Sequence, residues 1–348
     1  MQQKEKRKII TLILSILLIL LSVWSAFRIR SRYRENLREK EKAEAWREQK
    51  SEEEEPEFGT VHDMIEYQGK TYRRNTSVKA ILCMGIDRNT DLLETKQAGE
   101  GGQSDGIFLI AQDTARDKVR ILAIPRDTMT DIILTDIAGN ILGTDVQHLT
   151  LAYAYGDGRA LSCEYMSRAV TELLGGLKID GYAAVSMKAL GIINDSVGGV
   201  TVTIAEEGLA DRDSAFRPGE TVTLKGDQAE AYLRYRDITK AQTAISRLER
   251  QKDYIEKFSQ AVKKTAEREE GYITGLLDAL SPYLVTDLSK DQYLKMGMTF
   301  INSSQILSDE DIMMLPGEGI ETDMYDEYIP DIQKTQEMVL ELFYRVNE

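Results

Sequence analysis

The chain has 348 residues, and with 42% of them hydrophobic it can form one large domain or two smaller ones. Its 58 acidic and 44 basic side chains give a net charge of −14 at pH 7, which argues against a general nucleic-acid binder because phosphate would be repelled over most of the surface. The two cysteines and two histidines show no spacing typical of a zinc site or a disulfide framework.

The amino-terminal part predicts a membrane anchor. Residues 9–27 contain no charged side chain, and this run is long enough to cross a bilayer as a helix. Basic residues within 1–8 favour a cytoplasmic tail, although arginines also follow the apolar run. A cleaved signal peptide is the alternative, ranked second because the run is long and no small-x-small site follows it. We therefore expect a single-pass protein of the plasma membrane, with everything after residue 28 outside the cell.

Residues 28–77 are predicted to form a charged juxtamembrane stalk or linker. Between residues 31 and 57 the chain is almost entirely Arg, Lys and Glu with scattered Ala, and opposite charges fall three and four positions apart, as on a solvated helix. Within the same region, Val61–Arg73 predicts a small hairpin with Gln68-Gly69 as its turn.

An α/β pattern begins at Val78. Val78–Met84 and Ile107–Ala111 read as strands, and a third begins at Lys118 and stops before Pro125, which cannot donate to a ladder. The turn at residues 113–117 makes the last two of these an antiparallel pair. Residues 132–143 predict a short strand and a turn.

Helices and strands alternate after this point. Leu233–Arg236 is expected to be extended, and residues 265–348 to form a mostly helical extension. The other predicted elements are helices at about Ala160–Leu174, Met187–Asn194, Gly226–Tyr232 and Ile245–Lys264, and strands at Tyr182–Val185 and Val200–Ile204.

Charged residues stand at the ends of several predicted strands, where folding alone does not require a charge. Asp87 follows a strand, Asp105 precedes one, and Arg126-Asp127 comes directly after the strand that begins at Lys118. Sites in α/β sheets collect at strand ends. Further candidates are Arg234 and Arg236, which share a face if extended, and Arg247, Arg250 and Gln251, which are neighbours on a helix.

These residue types suit a metal-bound diphosphate. Arginine presents a planar fork that holds phosphate or carboxylate, and paired carboxylates are hard oxygen ligands for Mg²⁺. The alternative is that each arginine simply pairs with an acidic side chain on the surface. Residue type and spacing leave both interpretations open.

Six sequence blocks follow one another over about Ala80–Phe258: ILCMGIDR, QSDGIFLIAQDTARDKVRILAIPRDT, LAYAYGDG, LKIDGYAAVSMKALGIINDSVGGVTVTI, LKGDQAEAYLRYRD and ISRLERQ. In this order they resemble the LytR–CpsA–Psr family. The resemblance implies an α/β three-layer sandwich with a central mixed β-sheet flanked by helices, preceded by the transmembrane helix. It assigns residues 78–264 to the catalytic domain.

The resemblance also implies an activity. Family members move a glycopolymer such as teichoic acid or capsule from a polyprenyl-diphosphate carrier to a peptidoglycan hydroxyl, so the expected partners are this lipid, peptidoglycan and the membrane. The metal ligands for Mg²⁺ would be Asp87 and Asp105. The pyrophosphate-binding residues would be Arg126, Arg234, Arg236, Arg247 and Gln251, and the catalytic residues Asp105, Arg126 and Asp127. Either Asp105 or Asp127 would assist deprotonation of the hydroxyl, and the polyprenyl tail would enter an apolar tunnel.

Two departures from the family pattern leave other functions open. Where the family usually has Arg-Ser-Asp-Thr, this chain has Gln103-Ser104-Asp105-Gly106, so one cation and one hydroxyl are missing. One alternative is a hydrolase that uses water as the acceptor. The other is a non-catalytic carrier-binding or regulatory envelope protein, which the missing arginine at position 103 favours.

Overall fold

The structure is a computed structural model that describes residues 58–95, 97–237, 243–322 and 325–347. The predicted cytoplasmic tail, the membrane helix and the stalk up to residue 57 lie outside the described residues. No helix in the described part has the length and apolarity needed to cross a membrane. One compact unit runs from Gly59 to Glu348.

The secondary structure of this unit is mixed throughout. Its strands are β1 Met64–Tyr67, β2 Lys70–Arg74, β3 Val78–Ile86, β4 Ser104–Asp113, β5 Lys118–Ala123, β6 Met129–Thr135, β7 Ile141–His148, β8 Gly181–Ser186, β9 Thr201–Thr203, β10 Thr221–Thr223, β11 Leu284–Thr286, β12 Ile312–Met314, β13 Gly317–Glu321, β14 Asp326–Pro330 and β15 Tyr344–Val346. Its helices are α1 Leu151–Ala154, α2 Ala160–Leu173, α3 Ala189–Ser196, α4 Asp227–Arg234, α5 Thr243–Ala266, α6 Tyr272–Leu280, α7 Lys290–Asn302 and α8 Ile332–Phe343.

A six-stranded mixed sheet in the order β11-β8-β3-β4-β5-β12 forms the centre of the fold. β3, β4 and β5 are antiparallel to their neighbours in this group, whereas β8 and β12 join parallel to β3 and β5. In β3 and β4 consecutive residues are buried, and because successive side chains point to opposite faces, both faces of the sheet must be covered. The predicted mixed α/β fold is confirmed.

The region after residue 264 differs from its prediction. It was expected to be mostly helical, but it also contains β11–β15, and two of these strands complete the central sheet. β11 pairs with β8, and β12 pairs with β5. Each is three residues long, too short to show the alternation that identifies a strand in a sequence. The boundary predicted at residue 264 therefore does not divide the fold.

The predicted hairpin before Val78 is confirmed, but it belongs to the folded unit and not to a stalk. β1 and β2 pair across a turn in which Gln68 and Gly69 both have positive φ, as a two-residue hairpin turn requires. The last strand, β15, adds to the other edge of β2. The fold therefore begins before residue 78, because its first hairpin is held by its last strand.

Two further hairpins lie close to the end of β5. β6 and β7 pair over residues 129–148, which extends the short strand predicted there into a full hairpin. β13 and β14 form the second, and the backbone N–H of Tyr328 in β14 donates to the carbonyl of Asp127 at 2.9 Å. The segment that follows β5 therefore continues into the first of these hairpins and is hydrogen-bonded to the second.

Candidate active site

The sheet register brings three of the predicted site residues to one edge. β3 and β4 are antiparallel, with Gly85 opposite Gly106, so Asp87 after β3 and Asp105 at the start of β4 lie at the same edge. β5 is antiparallel to β4, with Ala123 opposite Phe108, so its carboxyl end reaches that edge as well. The end of β3, the start of β4 and the end of β5 therefore lie side by side, and together they carry Asp87, Asp105 and Arg126.

Arg126 is held by three side chains of its surroundings. Its Nη1 donates to Oδ1 of Asp105, its Nε to Oδ1 of Asp127 at 3.2 Å, and its Nη2 to Oε1 of Gln103 at 2.9 Å. Gln103, which stands where the family usually has an arginine, therefore accepts a hydrogen bond from the guanidinium of Arg126. These three hydrogen bonds fix the plane of the Arg126 guanidinium beside the strand ends.

Arg247 reaches the same carboxylate from helix α5. Its Nη1 donates to Oδ2 of Asp105 at 3.2 Å, and its side chain is only 6% exposed. Burial lowers the pKa of the Arg247 guanidinium because it disfavours the charged form, while the charge of Asp105 opposes this shift. The charges of Arg126 and Arg236 lower the pKa of Arg247 further, so the three guanidinium groups act on one another.

Arg234 contacts the second predicted metal-binding residue. Its Nη2 pairs with Oδ1 of Asp87, and its Nη1 donates to Oε1 of Glu230 at 2.9 Å. Although burial alone would lower the pKa of Arg234, the hydrogen bond to Glu230 and the charge of Asp87 raise it overall. The prediction that Leu233–Arg236 is extended is wrong at its start, because helix α4 runs to Arg234 and only then does the chain leave the helix.

Arg236 has a partner that the sequence did not predict. Its Nε donates to the hydroxyl of Thr243 at 2.9 Å and its Nη2 to Oδ2 of Asp326 at 3.1 Å. Asp326 is the first residue of β14, in the region expected to be a helical extension. Only the contact between β14 and the segment after β5 brings this carboxylate to the site, and no local pattern in the sequence signals such a contact.

Arg250 has a different role from its neighbours on α5. Its Nε donates to the carbonyl of Tyr232 at 2.7 Å, its Nη2 to the carbonyl of Tyr235, and its Nη1 pairs with Glu206. The guanidinium also lies 5.6 Å from the ring centroids of both tyrosines. Arg250 therefore holds the backbone that carries Arg234 and does not face the site itself.

Two buried oxygen atoms in this region have no hydrogen-bond partner among the described residues. They are Oδ2 of Asp127 and Oε1 of Gln251. The Nε2 of Gln251 donates to the carbonyl of Leu233 at 3.3 Å, so its carbonyl oxygen points the other way. A Cβ built on Gly106 would lie 3.9 Å from that oxygen. A hydroxyl at position 106, where the family usually has threonine, could donate to Oε1 of Gln251, and Gly106 lacks it.

The four predicted arginines of the site are all paired with carboxylates of the protein itself. A multiply charged anion entering here must displace these carboxylates, unless a cation arrives with it and takes them over. The two carboxylates at the strand ends, Asp87 and Asp105, are hard oxygen donors that suit Mg²⁺, which proteins commonly hold with one or two carboxylates plus substrate phosphates. No cluster of three or more His, Cys, Asp or Glu side chains suited to a metal occurs in the described part of the chain.

Fold and site together define an α/β protein with a group of arginine–carboxylate pairs at the strand ends of a mixed sheet. The model of the LytR_cpsA_psr family matches residues 33–343. The chain belongs to the LytR–CpsA–Psr family, as the six sequence blocks predicted.

Known proteins similar to this chain include two TagU proteins. TagU of Halalkalibacterium halodurans is 27% identical over 243 residues, which is 67% of this chain and 71% of that protein. TagU of Bacillus mycoides is 29% identical over 247 residues, which is 70% of this chain and 74% of that protein. Both are named polyisoprenyl-teichoic acid--peptidoglycan teichoic acid transferase.

Solved structures with a similar fold have low sequence identity to the chain. Protein gbs0355 from Streptococcus agalactiae is 21% identical with a TM-score of 0.59, covering 76% of this chain and 88% of that one. TagT bound to LI-WTA is also 21% identical, with a TM-score of 0.58 and coverage of 77% and 90%. These likenesses concern the fold alone.

Proposed function

We propose that this protein is a phosphotransferase that moves an anionic glycopolymer from a polyprenyl-diphosphate carrier to a hydroxyl of peptidoglycan. The observation that carries the proposal is the group of four arginines around Asp105 and Asp87 at one sheet edge, in a chain that belongs to the LytR–CpsA–Psr family. The activity named for the TagU relatives supports the same reaction.

The arginines would bind the diphosphate. Arg126, Arg234 and Arg236 are partly exposed, whereas Arg247 is buried and paired with Asp105. Phosphoryl transfer depends on positioning and on neutralising charge on the equatorial oxygens, and guanidinium groups do both through bidentate hydrogen bonds. Gln251 would join this set through its Nε2, which donates to the carbonyl of Leu233 in the structure and would donate to the diphosphate instead.

Asp87 and Asp105 would hold Mg²⁺. A bound Mg²⁺ supplies positive charge to the diphosphate oxygens and so favours departure of polyprenyl phosphate. With Asp87 and Asp105 holding the cation, Arg126, Arg234 and Arg247 would no longer be engaged by these two carboxylates and could bind the substrate. Removal of divalent cations is therefore expected to weaken diphosphate binding as well as transfer.

In the reaction, the oxygen of the acceptor hydroxyl forms a bond to the phosphorus attached to the polymer. The bond between that phosphorus and the oxygen of the polyprenyl phosphate breaks, and polyprenyl phosphate leaves with the bonding electrons. The proton of the hydroxyl passes to a base. Asp127 fits this role better than Asp105, because its Oδ2 has no partner among the described residues whereas both oxygens of Asp105 accept from arginines.

The predicted anchor is part of the proposal. A helix at residues 9–27 in the plasma membrane would keep the folded unit outside the cell, beside the lipid carrier and the wall. Cysteine-accessibility labelling in intact cells, with single cysteines introduced at residues 5 and 40, tests this orientation. Labelling of the cysteine at residue 5 and protection of the one at residue 40 would contradict it.

Transfer itself is tested with the full chain in detergent micelles. Lipid-linked polymer, Mg²⁺ and peptidoglycan are supplied to the native protein, to Asp105→Asn and to Asp87→Asn, and mass spectrometry follows wall-linked polymer and released polyprenyl phosphate. We expect both products from the native protein and a loss of more than tenfold in each variant. Polyprenyl phosphate without wall-linked polymer would indicate a hydrolase, and retained lipid without either product would indicate a carrier-binding protein. Equal transfer by Asp105→Asn would remove the metal role given to Asp105.

A further inference from the structure

A cleft opens beside Arg234. It has a volume of 510 Å³, within the range of about 300–1,000 Å³ usual for small-molecule sites, and is lined by Arg212, Asp227, Glu230, Ala231, Arg234 and Tyr235. Asp227, Glu230 and Arg234 are spaced three and four apart, so they share one face of helix α4. One wall of the cleft is therefore a helix face that ends in an arginine of the diphosphate site.

Arg234 belongs to both places at once. Its Nη2 pairs with Asp87 at the sheet edge, while its Nη1 donates at 2.9 Å to Glu230, which lines the cleft. A molecule in this cleft consequently lies directly beside the proposed diphosphate. This position is what an acceptor requires, because its attacking oxygen must come within about 3–3.5 Å of the phosphorus.

The charges of the cleft indicate what it can bind. Two arginines face two carboxylates, so the lining has no net charge. In the described part of the chain, the exposed side chains of Arg212 and Asp227 make no ion pair with each other or with a third residue. They offer free donors and a free acceptor to a ligand with many neutral hydrogen-bonding groups. A lining without net charge gives a polymer with repeated phosphates no net electrostatic attraction.

We infer that this cleft binds the neutral amino-sugar chain of the acceptor and presents its hydroxyl beside Arg234. The inference rests on the proposed function and extends it, because it names the place and the chemical class of the second substrate. The free hydroxyls and the N-acetyl groups of such a chain supply both donors and acceptors, and they match the arginine and carboxylate pair without requiring any charge. The glycopolymer of the donor would then lie on the side of the diphosphate site opposite the cleft.

The test measures binding of chitotetraose, a neutral tetramer of N-acetylglucosamine, to the full chain in detergent micelles by calorimetry or saturation-transfer NMR. Arg212→Ala and Asp227→Ala are each expected to raise the Kd at least fivefold. Arg217→Ala and Glu220→Ala are the matched controls, since they form an exposed pair 4.0 Å apart outside the cleft. They are expected to leave the Kd unchanged.

Farnesyl diphosphate binding, in the presence of Mg²⁺, is measured in the same preparations and should be the same for the native protein and for Arg212→Ala and Asp227→Ala. Absence of tetramer binding, or equal binding by native protein and both cleft variants, overturns the inference. Loss of farnesyl diphosphate affinity in Asp227→Ala with unchanged tetramer binding also overturns it, because the cleft would then serve the donor. Both readouts are equilibrium binding, so a protein that binds the tetramer in the cleft but transfers nothing would contradict the proposed function and not the cleft's ligand.

Discussion

Arg247 donates from its Nη1 to Oδ2 of Asp105 at 3.2 Å, across 142 positions of sequence, and both side chains are less than a tenth exposed. Breaking a buried ion pair leaves an uncompensated charge, which typically destabilises a protein more than the pair itself stabilises it.

Asp105→Asn is therefore expected to lower the free energy of unfolding by about 3 kcal/mol. Urea unfolding followed by circular dichroism gives this value. Asp113→Asn is the matched control, since Asp113 pairs with an Arg116 side chain that is 72% exposed, and it should cost less than about 1 kcal/mol. Equal effects of the two substitutions would contradict the role of burial at Asp105.

Arg250→Lys should weaken binding of the lipid donor, although Arg250 itself does not face the site. Lysine keeps the charge but cannot donate to the carbonyls of Tyr232 and Tyr235 in the fixed geometry of a guanidinium. The backbone around Arg234 would then move, and we expect the KM for the lipid donor to rise about tenfold, which is about 1.4 kcal/mol. Arg268→Lys, at an exposed position, should change neither KM nor kcat. A fall in kcat alone would argue against a positioning role for Arg250.

Asp326→Ala removes the acceptor for Nη2 of Arg236, whereas Asp326→Asn keeps an oxygen in the same place. If Asp326 orients Arg236, the alanine variant should lose about tenfold in kcat/KM, about 1.4 kcal/mol, and the asparagine variant much less. If its charge instead competes with the substrate, both variants should bind farnesyl diphosphate more tightly than the native protein. Steady-state kinetics and calorimetry separate the two outcomes.

Gly106→Thr should restore the missing hydroxyl next to Gln251. The built Cβ lies 3.9 Å from Oε1 of Gln251, so a hydroxyl can reach this unsatisfied atom, although the ring of Phe108, 3.3 Å from the Cβ, must shift slightly. Gly106→Val has the same shape without the hydroxyl. We expect the threonine variant to be more stable than the valine variant by about 1 kcal/mol, the usual net value of a hydrogen bond. Equal melting temperatures would contradict this pairing.

Stability should fall at alkaline pH because of buried tyrosines. Burial raises the pKa of Tyr232 and Tyr328 to about 12, above the usual value of 10.0 that applies in the unfolded chain. Between these values the folded state binds more protons, so the free energy of unfolding decreases as the pH rises, by up to about 1.4 kcal/mol per pH unit for each group. Tyr232→Phe should make this slope shallower between pH 10 and 12, and urea unfolding at several pH values measures the slope; an unchanged slope would contradict the role given to Tyr232.

Local sequence patterns predicted those parts of the fold that depend on contacts between residues close to one another in the sequence. The turn at Gln68-Gly69 and the antiparallel pair β4–β5 each span a short stretch, and both are confirmed. Asp105 and Arg126 could be placed together because each adjoins a long apolar strand whose end is visible in the sequence. Their direct contact in the structure follows from that placement.

Contacts between distant segments could not be predicted in this way. Asp326 reaches Arg236 only because β14 docks beside the segment after β5, and β12 pairs with β5 although about 190 positions separate them. Arg234 was expected to be extended because its two-residue spacing from Arg236 suits a strand, but Asp227 and Glu230 near the start of α4 support a helix there. The family resemblance indicated which arginines to consider, and the structure supplied their partners.

The pairing of β15 with β2 has a consequence for how the protein is made. A ribosome must release residues 344–346 before the first hairpin acquires its neighbour, and both outer strands of the central sheet also emerge late. A nascent chain stopped near residue 264 would expose the unpaired rims of β5 and β8 and would be prone to stick to other chains. The hydrogen bond from Arg236 to Asp326 likewise forms only after residue 326 has been synthesised, so a chain that stops before that point can neither complete its fold nor assemble its site.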